Sequence, residues 1–190
     1  MPHPVELVAS RMVADLRLNP MLRHEENMLT LTNGAYFSWD ETKGEVSLDV
    51  SPELGAILHL KAKVSKAPNW FSFNFELGDG VFETGDVLGI ALEFEGFAGE
   101  TLKPFLRTAR DGVLEDTLLQ DRLEGSATRE TRVLLHQMRA VDPATGAAGY
   151  HTLVLPLPLR DFVMELRDMR LFVIPAARVG QLVQPTLGAA

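Results

Sequence analysis

The chain alternates apolar and polar residues over most of its length, and one segment does so without exception. Residues 70–77 read Trp-Phe-Ser-Phe-Asn-Phe-Glu-Leu. Because successive side chains of a strand point to opposite sides of a sheet, this segment predicts a β-strand with one buried and one outward face. Phe71, Phe73, Phe75 and Leu77 form the buried row, and Trp70, Ser72, Asn74 and Glu76 form the outward row.

The same period of two continues on either side of this segment. It begins at Met28 and recurs up to Ile174, in short runs that Gly, Pro, Asn or Asp bound. About ten short strands with little helix predict an all-β protein, in which two antiparallel sheets pack face to face as a β-sandwich. Residues 111–128 fit either a short helix or two weak strands.

The first twenty residues follow a helical period instead. Their apolar positions are spaced i, i+3, i+4, i+7 and i+11, which predicts one amphipathic helix, and Asn19-Pro20 would end it. We interpret it as a helix packed over an open end or edge of a sheet. A helix that docks onto another chain, or onto a second copy, is the alternative. The positions are Val5, Val8, Ala9, Met12 and Leu16.

Length and composition are those of a single globular domain. The chain has 190 residues, of which 46% are hydrophobic and 23% charged, so it can bury a sizeable core. We expect a helix and linker over residues 1–22, the sandwich over residues 23–175 and a tail over residues 176–190.

Charge and residue inventory exclude several functions. A net charge of -8 disfavours a nucleic-acid binder, which needs a basic stripe. The chain has no cysteine for thiolate chemistry or a zinc site of that kind. No apolar run approaches the roughly 20 residues that cross a bilayer, and the first residues lack the features of a secretory signal. We therefore expect no membrane span, and either a cytoplasmic protein or a part of a larger exported assembly.

The outward row has the chemistry of a sugar-binding site. A pyranose presents C–H groups that lie flat on an aromatic ring, and hydroxyls that need paired donors and acceptors. Trp70, Asn74 and Glu76 supply these groups within one strand. Neighbouring strands would complete the site with basic, amide and imidazole groups. The predicted ligand-binding residues are Trp70, Asn74, Glu76, His59, Lys61, Arg107 and Gln137.

That site requires strands that follow one another in sequence to lie side by side. His59, Lys61 and Lys63 would then face the same way as the row, and Gly89 with Ala91 would leave a depression beside it. Three alternatives stay open. The N-terminal helix would fill the depression, the lysines would pair with acidic residues across strands, or Trp70 would only cover a sheet edge.

Three short motifs resemble the jelly-roll family of carbohydrate-binding modules and galactose-binding-like domains. Leu31-Thr32-Asn33-Gly34 is followed by Trp39, as in the family's entry motif. Residues 58–77 match its central hairpin with alternating aromatics. The stretch from Glu165 to Leu171 matches a closing strand with an acidic residue before its last apolar run.

The resemblance implies a noncatalytic sugar-binding module, sometimes with a structural calcium between the first strand and the last. The chain departs from the family where that ion would lie, because Ala35-Tyr36-Phe37-Ser38 stands in place of a Phe-Glu pair. Asp168 is the matching carboxylate that remains, with Asp40 and Glu41 close in sequence to the first strand. Calcium takes six to eight oxygen ligands, of which Asp168 is the one candidate that we name. No other cofactor is expected.

Two further functions compete with glycan binding. Glu93 and Glu95 lie two apart on one strand, about 6.5 to 7 Å from each other, which is a separation that glycoside hydrolases use, and Glu76 would approach from a neighbouring strand. An assembly role would use residues 1–20 as the contact with a protein partner. We rank noncatalytic glycan binding first, assembly second and hydrolysis third.

Overall fold

The computed structural model of the chain describes residues 2–18, 22–25, 27–51 and 55–182. It confirms an all-β protein with one short N-terminal helix, and this part of the chain holds twelve strands. In chain order the elements are α1 (Pro4–Leu18), β1 (Arg23–Glu25), β2 (Met28–Thr32), β3 (Ala35–Trp39), β4 (Glu45–Ser51), β5 (Leu58–Lys66), β6 (Phe71–Gly80), β7 (Val87–Leu102), β8 (Phe105–Arg110), β9 (Val113–Leu118), β10 (Leu123–Gln137), β11 (Gly149–Pro156), β12 (Phe162–Ile174) and α2 (Ala176–Leu182).

The strands form two antiparallel sheets that pack as the predicted sandwich. The seven-stranded sheet has the order β1-β2-β3-β6-β11-β8-β9, and the five-stranded sheet has the order β10-β7-β12-β5-β4. The chain repeatedly changes sheet between consecutive strands, which is the connectivity of a jelly roll. Residues 111–128, which fitted either a helix or strands, contain β9 and the start of β10.

The core lies between the two sheets, as the alternation in β6 predicts. Phe71, Phe73 and Phe75 are each 1% exposed, and the ring of Phe73 lies 4.2 Å from that of Phe75. The Phe71 ring meets Phe162 of the five-stranded sheet at 6.0 Å, so aromatic contacts cross the core. Burial of large aromatic side chains provides the main driving force for joining the sheets.

Helix α1 closes one corner of the sandwich. The pairing of β3 with β6 ends at Phe75, and that of β5 with β12 ends at Leu166, so the last residues of β6 and β12 each lack a strand on that side. Helix α1 packs against both exposed edges. The interpretation of an edge-packing helix is therefore right, and the buried stripe is Val5, Ala9, Met12 and Leu16.

Both ends of α1 are tied to the sandwich. The Glu6 carboxylate accepts two backbone hydrogen bonds. One comes from the N–H of His3, just before the helix begins, and the other from the N–H of Val173 on β12. Near the other end, Arg17 donates to the Oδ1 atom of Asp168 at 2.6 Å. In the described part of the segment 1–20, the apolar stripe is used within the chain. Its role as a contact for a partner stays a prediction.

The expected order of neighbouring strands is wrong, and the expected tail is described only in its first residues. Strands β5, β6 and β7 do not lie side by side, because β6 pairs with β3 and β11 while β5 and β7 both pair with β12. The predicted tail begins with helix α2, and residues 183–190 lie outside the described part of the chain. Neither helix is long and apolar enough to span a membrane, within the residues described.

Candidate ligand-binding face

The outer face of the seven-stranded sheet carries a group of polar and aromatic side chains from five adjacent strands. The strand register places them on one face, because Tyr36 lies opposite Asn74, Glu76 opposite Thr152, Thr152 opposite Arg107, and Arg107 opposite Asp116. We call this group the tyrosine face, since it includes both tyrosines of the chain. It consists of Tyr36, Glu76, Arg107, Asp116, Tyr150 and Thr152.

A β-bulge brings Tyr150 to Glu76. In the pairing of β6 with β11, Leu77 has no partner, and the next residue, Gly78, has a φ of 74°. Leu77 is the extra residue of the bulge. Its side chain stays in the core, where it is 0% exposed, and the bulge changes the direction of the strand beyond it. Tyr150 can therefore reach back along β6, and its hydroxyl donates a hydrogen bond of 2.9 Å to the Oε2 atom of Glu76.

Both phenols on this face are held in their neutral form. Burial is the main cause that raises the pKa of Tyr150 to about 12, and the hydrogen bond to Glu76 adds to it. Burial also raises the pKa of Tyr36, the nearby charge of Glu76 raises it further, and Arg107 partly opposes both. At neutral pH each phenol can thus donate and accept hydrogen bonds, and each ring offers an apolar side.

The guanidinium group of Arg107 is fixed by a carboxylate on the next strand. Its Nε and Nη2 atoms donate to the two carboxylate oxygens of Asp116 at 2.8 and 2.9 Å. This hydrogen-bonded contact raises the pKa of Arg107, and the guanidinium carbon also lies 5.2 Å from the centre of the Phe105 ring. A forked contact of this kind holds the group in one orientation, with further N–H donors left for other partners.

Tyr36 and Arg107 belong to strands three spacings apart, roughly 14 Å between backbones. Glu76 and Thr152 lie on the two strands between them, on the same face of the sheet. The charge of Arg107 opposes the rise in the pKa of Tyr36 that burial and Glu76 cause.

Asn74 serves the sheet, although the sequence predicts it as a ligand-binding residue. It is 5% exposed, and its amide nitrogen donates to the Ser38 hydroxyl at 2.9 Å and to the Tyr36 carbonyl at 3.3 Å. Ser72, in the same row, is 7% exposed and bonds to Asn74. A buried amide with these partners supports the side chains above it and does not face a ligand.

Trp70 stands immediately before β6, at the far end of the predicted outward row. It is 47% exposed, as a ring that stacks on a sugar must be. Trp70 is six positions before Glu76, or roughly 20 Å along an extended strand. Trp70 therefore lies away from the tyrosine face, and its role as a ligand-binding residue stays a prediction.

The other predicted neighbours of Trp70 lie on the opposite side of the molecule. His59 and Lys61, with Lys63, belong to β5, and Gln137 belongs to β10, so all four are in the five-stranded sheet. The expectation that they share a face with Trp70 or Arg107 is wrong. Consecutive strands here lie in different sheets, which the alternation of side chains does not reveal.

The expected depression at Gly89 and Ala91 is also on the five-stranded sheet, and it is filled. A Cβ atom on Gly89 would lie 2.1 Å from the Phe172 ring, which occupies the space above the glycine. Phe172 lies directly opposite Gly89 on the neighbouring strand. The depression is thus filled by Phe172 from the neighbouring strand. Helix α1 does not fill it, since α1 packs at the corner of the sandwich.

The structure separates Glu76 from the other two carboxylates proposed for hydrolysis. Glu93 and Glu95 lie two apart on β7, as expected. Glu93 forms an ion pair with Arg129, and Glu95 lies opposite Glu165 on β12. The expectation that Glu76 approaches them from a neighbouring strand is wrong, because β6 belongs to the other sheet.

Asp168 is engaged by protein groups. Its Oδ1 atom accepts hydrogen bonds from Arg17 at 2.6 Å and from the backbone N–H of Met169 at 2.8 Å. Across the described ranges, no group of three or more His, Cys, Asp and Glu side chains that could hold a metal ion occurs. Calcium binding stays a prediction, since carbonyl oxygens also bind this ion.

Sequence reasoning missed most of the tyrosine face. It found Glu76 and Arg107, but not Tyr36, Tyr150, Asp116 or Thr152. A signal was present, because each tyrosine stands next to a strongly buried residue, Phe37 or His151, at an outward position of a strand.

The fold is similar to that of solved carbohydrate-binding modules. The CBM22-1 xylan-binding domain from Paenibacillus barcinonensis is 14% identical, covering 74% of this chain and 86% of that domain at a TM-score of 0.44. The family 11 module from Clostridium thermocellum, in complex with a mixed-linked β-1,3-1,4 tetrasaccharide, is 10% identical. The match covers 79% of this chain and 95% of the module at a TM-score of 0.47. The N-terminal cellulose-binding domain of a Cellulomonas fimi β-1,4-glucanase is 13% identical, covering 66% of this chain and 82% of that domain at a TM-score of 0.46.

No family model and no curated protein matches the chain. The solved structures are of the class with which the sequence motifs show a resemblance. At these identities and TM-scores the likeness carries no argument about a ligand, and the candidate face has to be judged on its own geometry.

Proposed function

We propose that this protein binds a glycan without catalysis, on the tyrosine face of the seven-stranded sheet. The observation that supports the proposal most strongly is that the Tyr150 hydroxyl donates to the Glu76 carboxylate, while Tyr36 lies diagonal to Glu76 on the same face of the next strand. Arg107 and Asp116 extend the polar surface on the side of β8 and β9.

The chemistry of this face suits a sugar. Phenol rings offer apolar surface to the C–H groups of a pyranose, and their hydroxyls, the carboxylate of Glu76 and the guanidinium of Arg107 pair with sugar hydroxyls. The contacts that hold Glu76 and Arg107 in place exist before any ligand binds. A preorganised site loses less side-chain entropy on binding.

The extent of the surface suits an oligosaccharide better than a single sugar. Trp70 adds an exposed indole roughly 20 Å along the strand from Glu76. A chain of several sugar rings can span that distance, with one end on the indole and the other between the phenols.

Retention on polysaccharides tests the proposal. Affinity electrophoresis through gels that contain soluble polysaccharides identifies a retained ligand, and Tyr36→Ala and Tyr150→Ala should each lower the affinity at least about tenfold, because each removes one ring. Both variants should keep a cooperative thermal transition, since neither residue belongs to the inward core.

Val163→Ala is the matched control. Val163 is exposed on β12, in the other sheet, and its loss should leave retention unchanged. Equal retention of the three variants and the parent protein would refute the tyrosine face as the binding site. Failure of the parent protein to bind any of a broad set of neutral, acidic and amino-bearing glycans would refute glycan binding.

A further inference from the structure

Among the residues that the structure describes, Glu76 forms no ion pair, and its carboxylate is bonded by a phenol hydroxyl. The basic group on this face, Arg107, has its Nε and Nη2 atoms bound to Asp116. The Oε2 atom of Glu76 accepts from the Tyr150 hydroxyl, which is neutral. The Oε1 atom of Glu76 is the second oxygen through which this carboxylate can bind a donor.

The two tyrosines lie on the strands that flank β6, one on each side of the strand that carries this carboxylate. Tyr150 contacts Glu76 directly, and Tyr36 faces the same way from β3, diagonal to Glu76 in the sheet. A carboxylate between aromatic rings is an arrangement that binds organic cations, because the ring faces carry partial negative charge.

We infer that the Tyr36, Glu76 and Tyr150 side chains bind the ammonium group of an amino sugar, so that the glycan bound by this protein carries free amines. The inference rests on the proposed glycan-binding function and specifies the class of ligand. The ammonium donates to the Glu76 carboxylate, and the phenol rings cover its sides.

The electrostatic behaviour of the phenols agrees with this assignment. The negative charge of Glu76 raises the pKa of both tyrosines, and its influence on Tyr36 exceeds the opposing influence of Arg107. Asp79, opposite Tyr150 on β6, acts on that phenol in the same direction. A field that disfavours a phenolate favours a cation at the same place.

Three hexasaccharides separate the inference from the proposed function. We would measure binding of a glucosamine hexamer, an N-acetylglucosamine hexamer and cellohexaose by isothermal titration calorimetry at about pH 6, below the ordinary pKa of an amine. The glucosamine hexamer should bind at least about tenfold more tightly than either neutral hexamer, and added salt should reduce this ratio.

Glu76→Gln should bring the ratio of affinities to within about twofold of one, because the amide keeps the shape of the side chain and loses its charge. Glu130→Gln removes the same charge from β10 in the other sheet and should leave the ratio as in the parent protein. The salt dependence of the parent protein gives a second test that needs no variant.

The outcomes separate the two claims. Equal affinity for all three hexamers would overturn the amino-sugar inference and support glycan binding. A preference for amines that Glu76→Gln leaves intact would place the cation elsewhere and overturn the inference. No binding to any of the hexamers or to a broader glycan set would overturn both claims.

Discussion

The outer faces of the two sheets differ in how their polar side chains are used. On the five-stranded sheet, charged residues pair with one another within the sheet: Arg129 with Glu93 on neighbouring strands, and Arg167 with Glu165 on one strand. On the seven-stranded sheet, Arg107 also pairs with Asp116, but Glu76 is bonded by the neutral Tyr150 hydroxyl, and Tyr36 lies diagonal to it.

This difference shows what separates a candidate site from an ordinary wet sheet. Polar residues on an outward face are common, and ion pairs between them contribute little to stability. Aromatic side chains that meet a charged group without a full ionic partner are unusual, because partial burial of that charge costs free energy.

Substitution of two glycines, one in each sheet, should give the largest difference between the two sheets in stability and glycan affinity. Gly89→Ala would place a methyl group 2.1 Å from the Phe172 ring and should lower the free energy of unfolding by about 1 to 3 kcal/mol, with glycan affinity unchanged. Gly78→Ala would put an alanine at a φ of 74° in the bulge, at a cost of about 1 to 2 kcal/mol, and should also lower affinity.

Urea denaturation and calorimetric titration of both variants would check this. Loss of affinity in Gly89→Ala, together with unchanged affinity in Gly78→Ala, would place the binding surface on the five-stranded sheet.

The sequence predicts which face of each strand is buried better than it predicts which strands pair with each other. The inward row of Phe71, Phe73 and Phe75 is right, because a period of two defines inside and outside for any strand. The partners of β6 are wrong, since the same period occurs in both sheets and does not say in which sheet a strand lies. The prediction took strands that follow one another in the chain to be neighbours, and it therefore placed His59 and Lys61 on the wrong sheet.

The site was harder to predict than the fold for a related reason. Tyr36 and Tyr150 are 114 residues apart in the chain and lie on strands that both flank β6. Only the pairing of β3 and β11 with β6 brings them together, and the bulge at Gly78 completes the contact with Glu76. The pairing leaves no local sequence pattern, and the bulge leaves only a glycine, Gly78, within the strand.

Each sheet also contains a buried histidine, and acid should destabilise both. Burial is the main cause that lowers the pKa of His151, beneath the tyrosine face, and of His136 on β10. A lowered folded-state pKa means that the unfolded chain binds protons first, near its ordinary pKa of about 6.5. The stability from both groups is therefore present above that pH and is lost as pH falls through it.

Equilibrium unfolding at a series of pH values, with NMR titration of the imidazole protons, measures this effect. His136 has a carboxylate partner, Asp142, at 3.1 Å, whereas His151 bonds to the Thr108 hydroxyl and the Gly80 carbonyl. A free energy of unfolding that rises as pH falls from about 7 to 5 would contradict the prediction.

Two exposed arginines give the smallest expected effect on stability. Arg107→Ala and Arg129→Ala each remove a surface ion pair, with Asp116 and Glu93 respectively, and each should change the free energy of unfolding by less than about 1 kcal/mol. Only Arg107→Ala should weaken glycan binding, by several-fold, because Arg107 lies on the tyrosine face. Equal effects of the two changes on affinity would remove Arg107 from the site.

Mapping a bound oligosaccharide by NMR tests the central claim most directly. On titration with a glycan that the protein retains, backbone amide shifts should change along β3, β6, β11 and β8, with the largest changes around Tyr36, Glu76 and Tyr150. Shift changes confined to β5, β7 and β12 would contradict the account, because they would place the ligand on the opposite face of the sandwich.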